Sequence, residues 1–232
     1  ANCTIMKAMI LAAGFGKRLL PLTENIPKPL LKVGDQTLIE RNINYLINNG
    51  FSEIIINASH HGDLLIEHVN DIFSDHNILF SFEEKPLGTG GGILNALEMI
   101  GDGAFLVMNS DILHNIDIMN LPTDIEAAHL IGVSNPDHNP NGDFTINESI
   151  VEIKKDHNNL TWSGISIINP IIFRENSFET KTFNMWDTVL PKYISTNKVT
   201  GHISSELWID VGTPERLNLA NRVYNDKKLD YE

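Results

Sequence analysis

The 232-residue chain is long enough for one large α/β domain or two small ones with a full core, and its 42% hydrophobic and 20% charged residues are ordinary for a globular protein. A formal net charge of -13 argues against a polynucleotide partner, because affinity for phosphate backbones needs a cationic surface; a small phosphate compound in a locally positive loop stays compatible. One cysteine, Cys3, excludes a disulfide framework and a cysteine-based zinc site.

Residues 1–5 are read as a leading segment, and Met6 as either the native start or an internal methionine. The opening ANCTIMKAMILAAG lacks the charged, apolar and cleavage order of a secretory signal, and no apolar run reaches membrane-spanning length. The expected compartment is the cytoplasm, with no membrane partner. Short, apolar, turn-bounded runs at Ala8–Ala13, Glu53–Asn57, Ile78–Phe82 and Ala104–Asn109 predict buried strands. Between them, TLIERNINYLINNG places Leu38, Ile39, Ile43, Leu46 and Ile47 on one helical face, with Gly50 as its C-cap. HGDLLIEHVNDIF and TGGGILNALEMIG predict two further helices. Such strand–helix alternation implies a mostly parallel sheet with helices on both faces.

After Asp111 the order loosens. AAHLIGV, GDFTI, SIVEIKK, LTWSGISII and KVTGHI read as closely spaced strands, so a mixed sheet or antiparallel flap is expected there. NMWDTVLPKYIST and TPERLNLANRVYND read as helices, and SNPDHNPNGD as a polar loop marking a boundary. The fold class expected is α/β: a single domain over residues 6–232 with a mostly parallel, mixed central sheet flanked by helices.

The stretch LAAGFGKRLLPLTENIPKPLL follows the first strand. A dinucleotide fingerprint would need a third glycine at position 19, which is Leu19, and a Walker A loop would need Ser or Thr where Arg18 stands. Pro21 and Pro27 oppose a long helix after Gly14 and Gly16. What remains is a proline-stiffened loop carrying Lys17, Arg18 and Lys28. It reads either as a phosphate cradle or as a surface loop with scattered lysines. Two carboxylates follow apolar runs, Asp111 in AFLVMNSD and Asp210 in LWIDVGTPERL, where Thr213 can cap the next helix. Each alone is equally a turn residue. Together they suit magnesium, which takes few protein carboxylates and completes its shell with phosphate oxygens and water.

Taken whole, LAAGFGKRLLPLTENIPKPLLKVGDQTLIE resembles the signature of the sugar-1-phosphate nucleotidyltransferases, in the elements Gly14-x-Gly16-x-Arg18, Pro21-Leu22-Thr23 and Pro27-Lys28-Pro29. That resemblance implies a Rossmann-like nucleotidyltransferase domain, with residues 6–111 as the nucleotide half and 112–232 as the sugar half. By it, Gly14 and Gly16 hold the triphosphate, with Ala12, Ala13 and Lys17 beside them. Arg18 faces the outer phosphates, Lys28 meets the reacting phosphate, and Asp111 and Asp210 bind Mg²⁺. It implies in-line attack of a sugar-1-phosphate oxygen on the α-phosphate, with no general base because the nucleophile is already anionic.

EEKPLGTGGGILNAL is similar to the family's base loop, which assigns Thr89 and Gly90 to the nucleotide; Thr89 is also placed to cap the helix that follows. The triple Gly90–Gly92, with NPDHNPNGDF, WSGISI and WIDVGTPERL, is most like the branch that uridylylates N-acetylmuramate 1-phosphate for peptidoglycan recycling. The resemblance then puts Asn109 on the nucleotide, Asp143, Ser163 and Gly164 on the sugar, and Lys181 near its lactyl carboxylate. Partners are UTP and the sugar phosphate. Gly88 departs from that branch, where an acidic residue commonly precedes the threonine. A mannose- or heptose-1-phosphate guanylyltransferase and a non-catalytic sugar-nucleotide-binding regulator remain as alternatives. Trp162, Trp186 and Trp208 are read as core, His60, His61 and His68 carry no assignment, and the oligomeric state is not legible.

Overall fold

A computed structural model describes residues 6–229 of the chain, so Cys3 and the rest of the leading segment lie outside the described residues. The elements in chain order begin with β1 (Ala8–Leu11), the hairpin β2 (Lys32–Val33) and β3 (Gln36–Thr37), α1 (Leu38–Asn48), β4 (Glu53–Ala58), α2 (Gly62–Ile72) and β5 (Asn77–Phe82). There follow α3 (Gly88–Asn95), α4 (Leu97–Ile100), β6 (Phe105–Asn109), β7 (Ile112–His114), β8 (Ala128–Ser134), β9 (Thr145–Asn147), β10 (Ile150–Glu152) and β11 (Leu160–Ile168). The last are α5 (Ile171–Arg174), α6 (Met185–Thr188), α7 (Leu190–Ile194), β12 (Val199–Ile203), β13 (Trp208–Asp210) and α8 (Pro214–Leu229).

One nine-stranded sheet carries the order β5-β4-β1-β6-β11-β8-β12-β10-β9. Only β11 and β10 run against the other strands, so the sheet is mixed but mostly parallel in direction. Its central strands are buried on both faces, which is why they read as unbroken apolar runs rather than as an alternation. Ile10, Ile54, Ile56, Leu106 and Met108 pack with Ile39, Ile43 and Leu46 of α1 and with Leu65 and Val69 of α2. On the other face, Met9, Ile55 and Val107 pack with Ile93, Leu97, Ile100, Leu190 and Ile194 of the opposite helices. Each fully buried Ile or Leu contributes roughly 1.5–3 kcal/mol.

Local chemistry sets the helix ends. Thr37 and Glu40 form a capping box at the start of α1, each side chain accepting the other's backbone N–H, and Gly50 follows the C-cap at φ +86°. Thr213 caps α8 as expected, its hydroxyl accepting from Arg216 N at 3.3 Å. Several sequence expectations need correction. β1 stops at Leu11 because Ala12 N leaves the ladder and donates to Asn57 Oδ1. TGGGILNALEMIG is two helices, broken at Ala96. NMWDTVLPKYIST is also two, because Pro191 sits in the first turn of α7 and has no N–H to continue α6. Thr89 does not cap α3, whose N-cap is Leu87; its hydroxyl accepts from Met185 N at 2.9 Å and so fixes the start of α6. The β13–β7 pair forms a separate two-stranded sheet that short apolar runs did not announce.

A third, smaller core bears on function. Leu19, Leu31, Val33, Leu38, Ile209, Val211 and Ala220 are buried together, joining the glycine loop, the start of α1, β13 and α8. Gly34 N donates to Asn221 Oδ1, and Tyr224 lies against Gly34 while its hydroxyl donates to Asp35. The signature loop is therefore supported by the last described helix.

His114, at the end of β7, accepts from Ile116 N through Nδ1, so its proton is on Nε2, which is buried with no hydrogen-bond partner among the described residues. Burial lowers its pKa from 6.5 to about 4. A base whose folded pKa is depressed loses stability as pH falls below its unfolded value, because only the unfolded state takes the proton. Between about pH 7.5 and about pH 5 that costs about 2 kcal/mol. His114→Phe is expected to flatten this part of the acid limb in urea unfolding, and an unchanged slope would refute the assignment. His129, also lowered to about 4 by burial and by His202, supplies a slope of the same sign that the variant keeps.

Candidate active site

The C-terminal ends of β1, β4 and β6 open into a cavity of about 340 Å³, where open α/β sheets place their ligands. Ala12, Ala13, Gly14, Gly16, Lys17, Arg18, Lys28, Thr89, Asn109 and Asp111 all line it. The loop is shaped by its own residues. Gly16 adopts φ +64°, and its carbonyl accepts the buried Thr23 hydroxyl at 2.8 Å, closing the turn across the Pro21-Leu22-Thr23 element. Leu19 is buried beside exposed Arg18, and Pro29 is buried beside Lys28, so apolar anchors alternate with the cations they hold toward the cavity. Lys17 lies over the Phe15 ring at 5.2 Å.

The two aspartates are brought together from residues 99 positions apart by the β7–β13 pairing, in which Asp210 lies opposite Ile112. Val211 N donates to the Asp111 carbonyl at 2.7 Å, tying the two strand ends. Asp111 Oδ2 accepts from Lys28 Nζ in a short ion pair. Asp210 accepts from Arg216 Nη2 at 2.8 Å and lies 3.1 Å from His138 Nε2. Burial pushes the Asp210 carboxyl above the usual range; Asp111 adds to this, while Arg216, His138 and Lys28 oppose it. Two adjacent carboxylates, reached by Lys28, Arg216 and the His138 imidazole, form a polar site whose acid pair suits a divalent cation and whose lysine and arginine suit phosphates.

Five residues escaped the sequence reading. Asn57 receives Ala12 N at 2.6 Å and donates to Glu83 Oε1 at 2.8 Å, and Glu83 also accepts from Leu87 N. Burial raises the Glu83 pKa against these hydrogen bonds, and both residues line the cavity. Asn184 lines it too, from the segment that crosses α3. His138 comes from the polar loop read as a boundary, and Arg216 from the first turn of α8. Glu83 follows a strand just as Asp111 does, and that was the available signal.

The glycine run needs a correction. The sequence reading sets Gly90–Gly92 against a base, whereas Gly90 N and Gly91 N both donate to Phe183 O and a Cβ on Gly90 would lie 2.4 Å from the Phe183 ring. Gly90 does not line the cavity; Gly88 and Thr89 do. A methyl on Gly91 would meet Lys181 O at 2.1 Å, so Gly91→Ala is expected to cost about 1–3 kcal/mol through displaced backbone. Gly14 has open space where its Cβ would go, so Gly14→Ala should leave the melting temperature unchanged while raising KM for the nucleotide. Thermal unfolding and steady-state kinetics on the two variants check both outcomes.

None of the proposed sugar residues lines the cavity. Asp143 accepts from Trp162 N at 2.8 Å and from Asn139 at 3.0 Å, so its carboxylate fixes the start of β11. Ser163 is buried, with its hydroxyl accepting from Ile165 N and its carbonyl from Trp208 Nε1. Gly164 forms the bulge of β11 at φ +80°, close against Asn109. Lys181 is exposed. Trp162 and Trp186 stack at 5.5 Å and are half-buried against the core, as is Trp208.

A family described as nucleotidyl transferase matches residues 7–227. The chain belongs to that family. It is 39% identical over 227 residues to an N-acetylmuramate alpha-1-phosphate uridylyltransferase of Neisseria meningitidis serogroup B, covering 93% of this chain and 96% of that one. It is 28% identical over 215 residues to a D-glycero-alpha-D-manno-heptose 1-phosphate guanylyltransferase of Campylobacter jejuni, covering 90% and 96%. The crystal structure of HddC from Yersinia pseudotuberculosis complexed with GMP-PN matches with a TM-score of 0.77 at 26% identity, over 94% of this chain and 99% of that one. Among the described residues of this nucleotidyl transferase no helix is long and apolar enough to cross a membrane.

Proposed function

We propose that this nucleotidyl transferase moves a uridylyl group from UTP to N-acetylmuramate 1-phosphate, giving UDP-N-acetylmuramate and pyrophosphate in a cell-wall recycling route. The observation that carries the sugar and base is the 39% identity to the meningococcal uridylyltransferase along nearly the whole of both chains, against 28% for the heptose guanylyltransferase. The chemistry is an in-line displacement. An oxygen of the sugar phosphate attacks the α-phosphorus, a new P–O bond forms, and the bond to the β-phosphate oxygen breaks. The nucleophile is already ionised, so positioning and charge neutralisation suffice.

Lys28 lines the cavity with a largely buried side chain and reaches the α-phosphate side through its place beside Asp111. Arg18 and Lys17, from the glycine loop, meet the leaving phosphates, and the backbone of Ala12–Gly14 approaches them closely. Asp111 and Asp210 are the residues that would hold Mg²⁺, and two adjacent carboxylates fit an ion that takes few protein oxygens. Magnesium, when bound, supplies charge neutralisation at the transferring phosphoryl group.

Gly88 departs from the uridylyl branch, and guanylyl transfer is the second reading. It adopts φ +76°, and any Cβ there would lie 2.5 Å from Phe183 O, so the acidic residue of the uridylyl branch has no room in this loop. The test is pyrophosphate release from a matrix of UTP, dTTP, GTP and CTP against muramate, glucose, mannose, heptose and N-acetylglucosamine 1-phosphates. UTP with N-acetylmuramate 1-phosphate is expected to give the highest kcat/KM. A GTP pair in first place would overturn the base and sugar assignment and leave the phosphate site intact; no release from any pair would favour a binding protein.

A further inference from the structure

Arg216 takes no part in the signature that identifies the phosphate loop and does not itself line the cavity, yet its head group lies against Gly212, which does. It starts in the first turn of α8, and its side chain is only 15% exposed. Nε donates to the Asp210 carbonyl and Nη2 to Asp210 Oδ2, both at 2.8 Å. Gly212, which lines the cavity, allows this approach: a Cβ there would stand 2.1 Å from Arg216 Nη2 and 3.3 Å from Arg18 Nη2. Two guanidinium groups therefore meet over one glycine. Between them they have one carboxylate contact, that of Arg216 to Asp210, among the ion pairs of the described residues.

Both Asp210 oxygens are already engaged, Oδ2 by Arg216 and Oδ1 by His138. A divalent cation on Oδ2 competes with Nη2 for that oxygen's lone pairs and repels the guanidinium. An Nη2 displaced in this way lies largely buried beside Arg18, where a phosphate oxygen is the replacement at hand. Nε remains on the Asp210 carbonyl, so the exchange is a turn about a fixed point rather than a departure of the side chain.

We propose that Arg216 is an exchangeable counter-ion, holding Asp210 while the acid pair is without a cation and turning to a phosphate oxygen beside Arg18 when a cation takes its place. Arg216 is a positioning residue for Asp210 in the first state and a nucleotide ligand in the second. Capture of metal and of phosphate are thereby coupled: metal alone competes with Arg216, and metal arriving with phosphate does not. This rests on the acid pair being the metal site.

The experiment measures Mn²⁺ binding to the nucleotide-free protein, reading free Mn²⁺ by electron paramagnetic resonance. Arg216→Gln is expected to bind Mn²⁺ about tenfold tighter than the wild type, because one charge-assisted competitor is gone, while KM for the triphosphate rises by about tenfold. Arg216→Lys keeps the charge without the fork and should tighten Mn²⁺ only about threefold; it serves if the glutamine variant does not fold, which far-ultraviolet circular dichroism reports. Unchanged or weaker Mn²⁺ affinity in folded variants overturns the exchange. Failure of the metal reading itself looks different: Asp111→Asn would then bind Mn²⁺ as tightly as the wild type.

Discussion

Lys28→Ala is expected to lower kcat by roughly 10²–10³, the usual loss when one donor aimed at developing charge is removed. The side chain is 13% exposed, lines the cavity and is ion-paired with Asp111, so it is held in place before any ligand arrives. Its charge counts for more there than on the surface, because solvent screens it less. The folding cost should be small by comparison, since Asp111 stays partly open to water and can be solvated once its partner is gone. Steady-state kinetics separate the two roles: a fall in kcat with little change in KM marks contact with the transition state, and a change confined to KM marks uniform binding.

Asp111→Asn should reduce turnover by at least about 10³-fold, the size expected when several kcal/mol of charge stabilisation go with a lost cation. Asparagine keeps the shape and the strand end, so the Val211 N–H to residue 111 carbonyl bond survives and the β7–β13 pair should persist. Lys28 would then lack its carboxylate partner and rely on water. The result to measure is pyrophosphate release at saturating Mg²⁺ beside thermal unfolding. Turnover near the wild-type rate would sink the metal assignment; a large fall in melting temperature would show that the pair is chiefly structural.

The residues legible in the sequence were those whose chemistry is written locally. The loop from Gly14 to Lys28 carries its glycine, its cations and its prolines within one stretch, and Asp111 and Asp210 each end an apolar run. Asn57 was hidden because its role depends on β4 and β5 lying side by side, with Ala58 opposite Phe82, which brings Glu83 within reach. His138 and Arg216 were hidden for a similar reason, since both act on Asp210 through packing between distant segments. The glycine triple misled because a glycine run signals close approach without saying to what; here Phe183 meets Gly90, Lys181 meets Gly91, and Asn57 and Glu83 meet Gly92. In the fold, the parallel half was plain from its double-sided burial. The short strands β7 and β13 were not, because three residues are too few to show a period.

The support that α8 gives to the glycine loop has a consequence for synthesis. Asn221 and Tyr224 hold Gly34 and Asp35, and Ala220 closes the small core that contains Leu19 and Leu31. The loop leaves the ribosome well before its brace, so a nascent chain without α8 carries the glycine loop with its own Gly16–Thr23 turn but without the apolar support of Ala220.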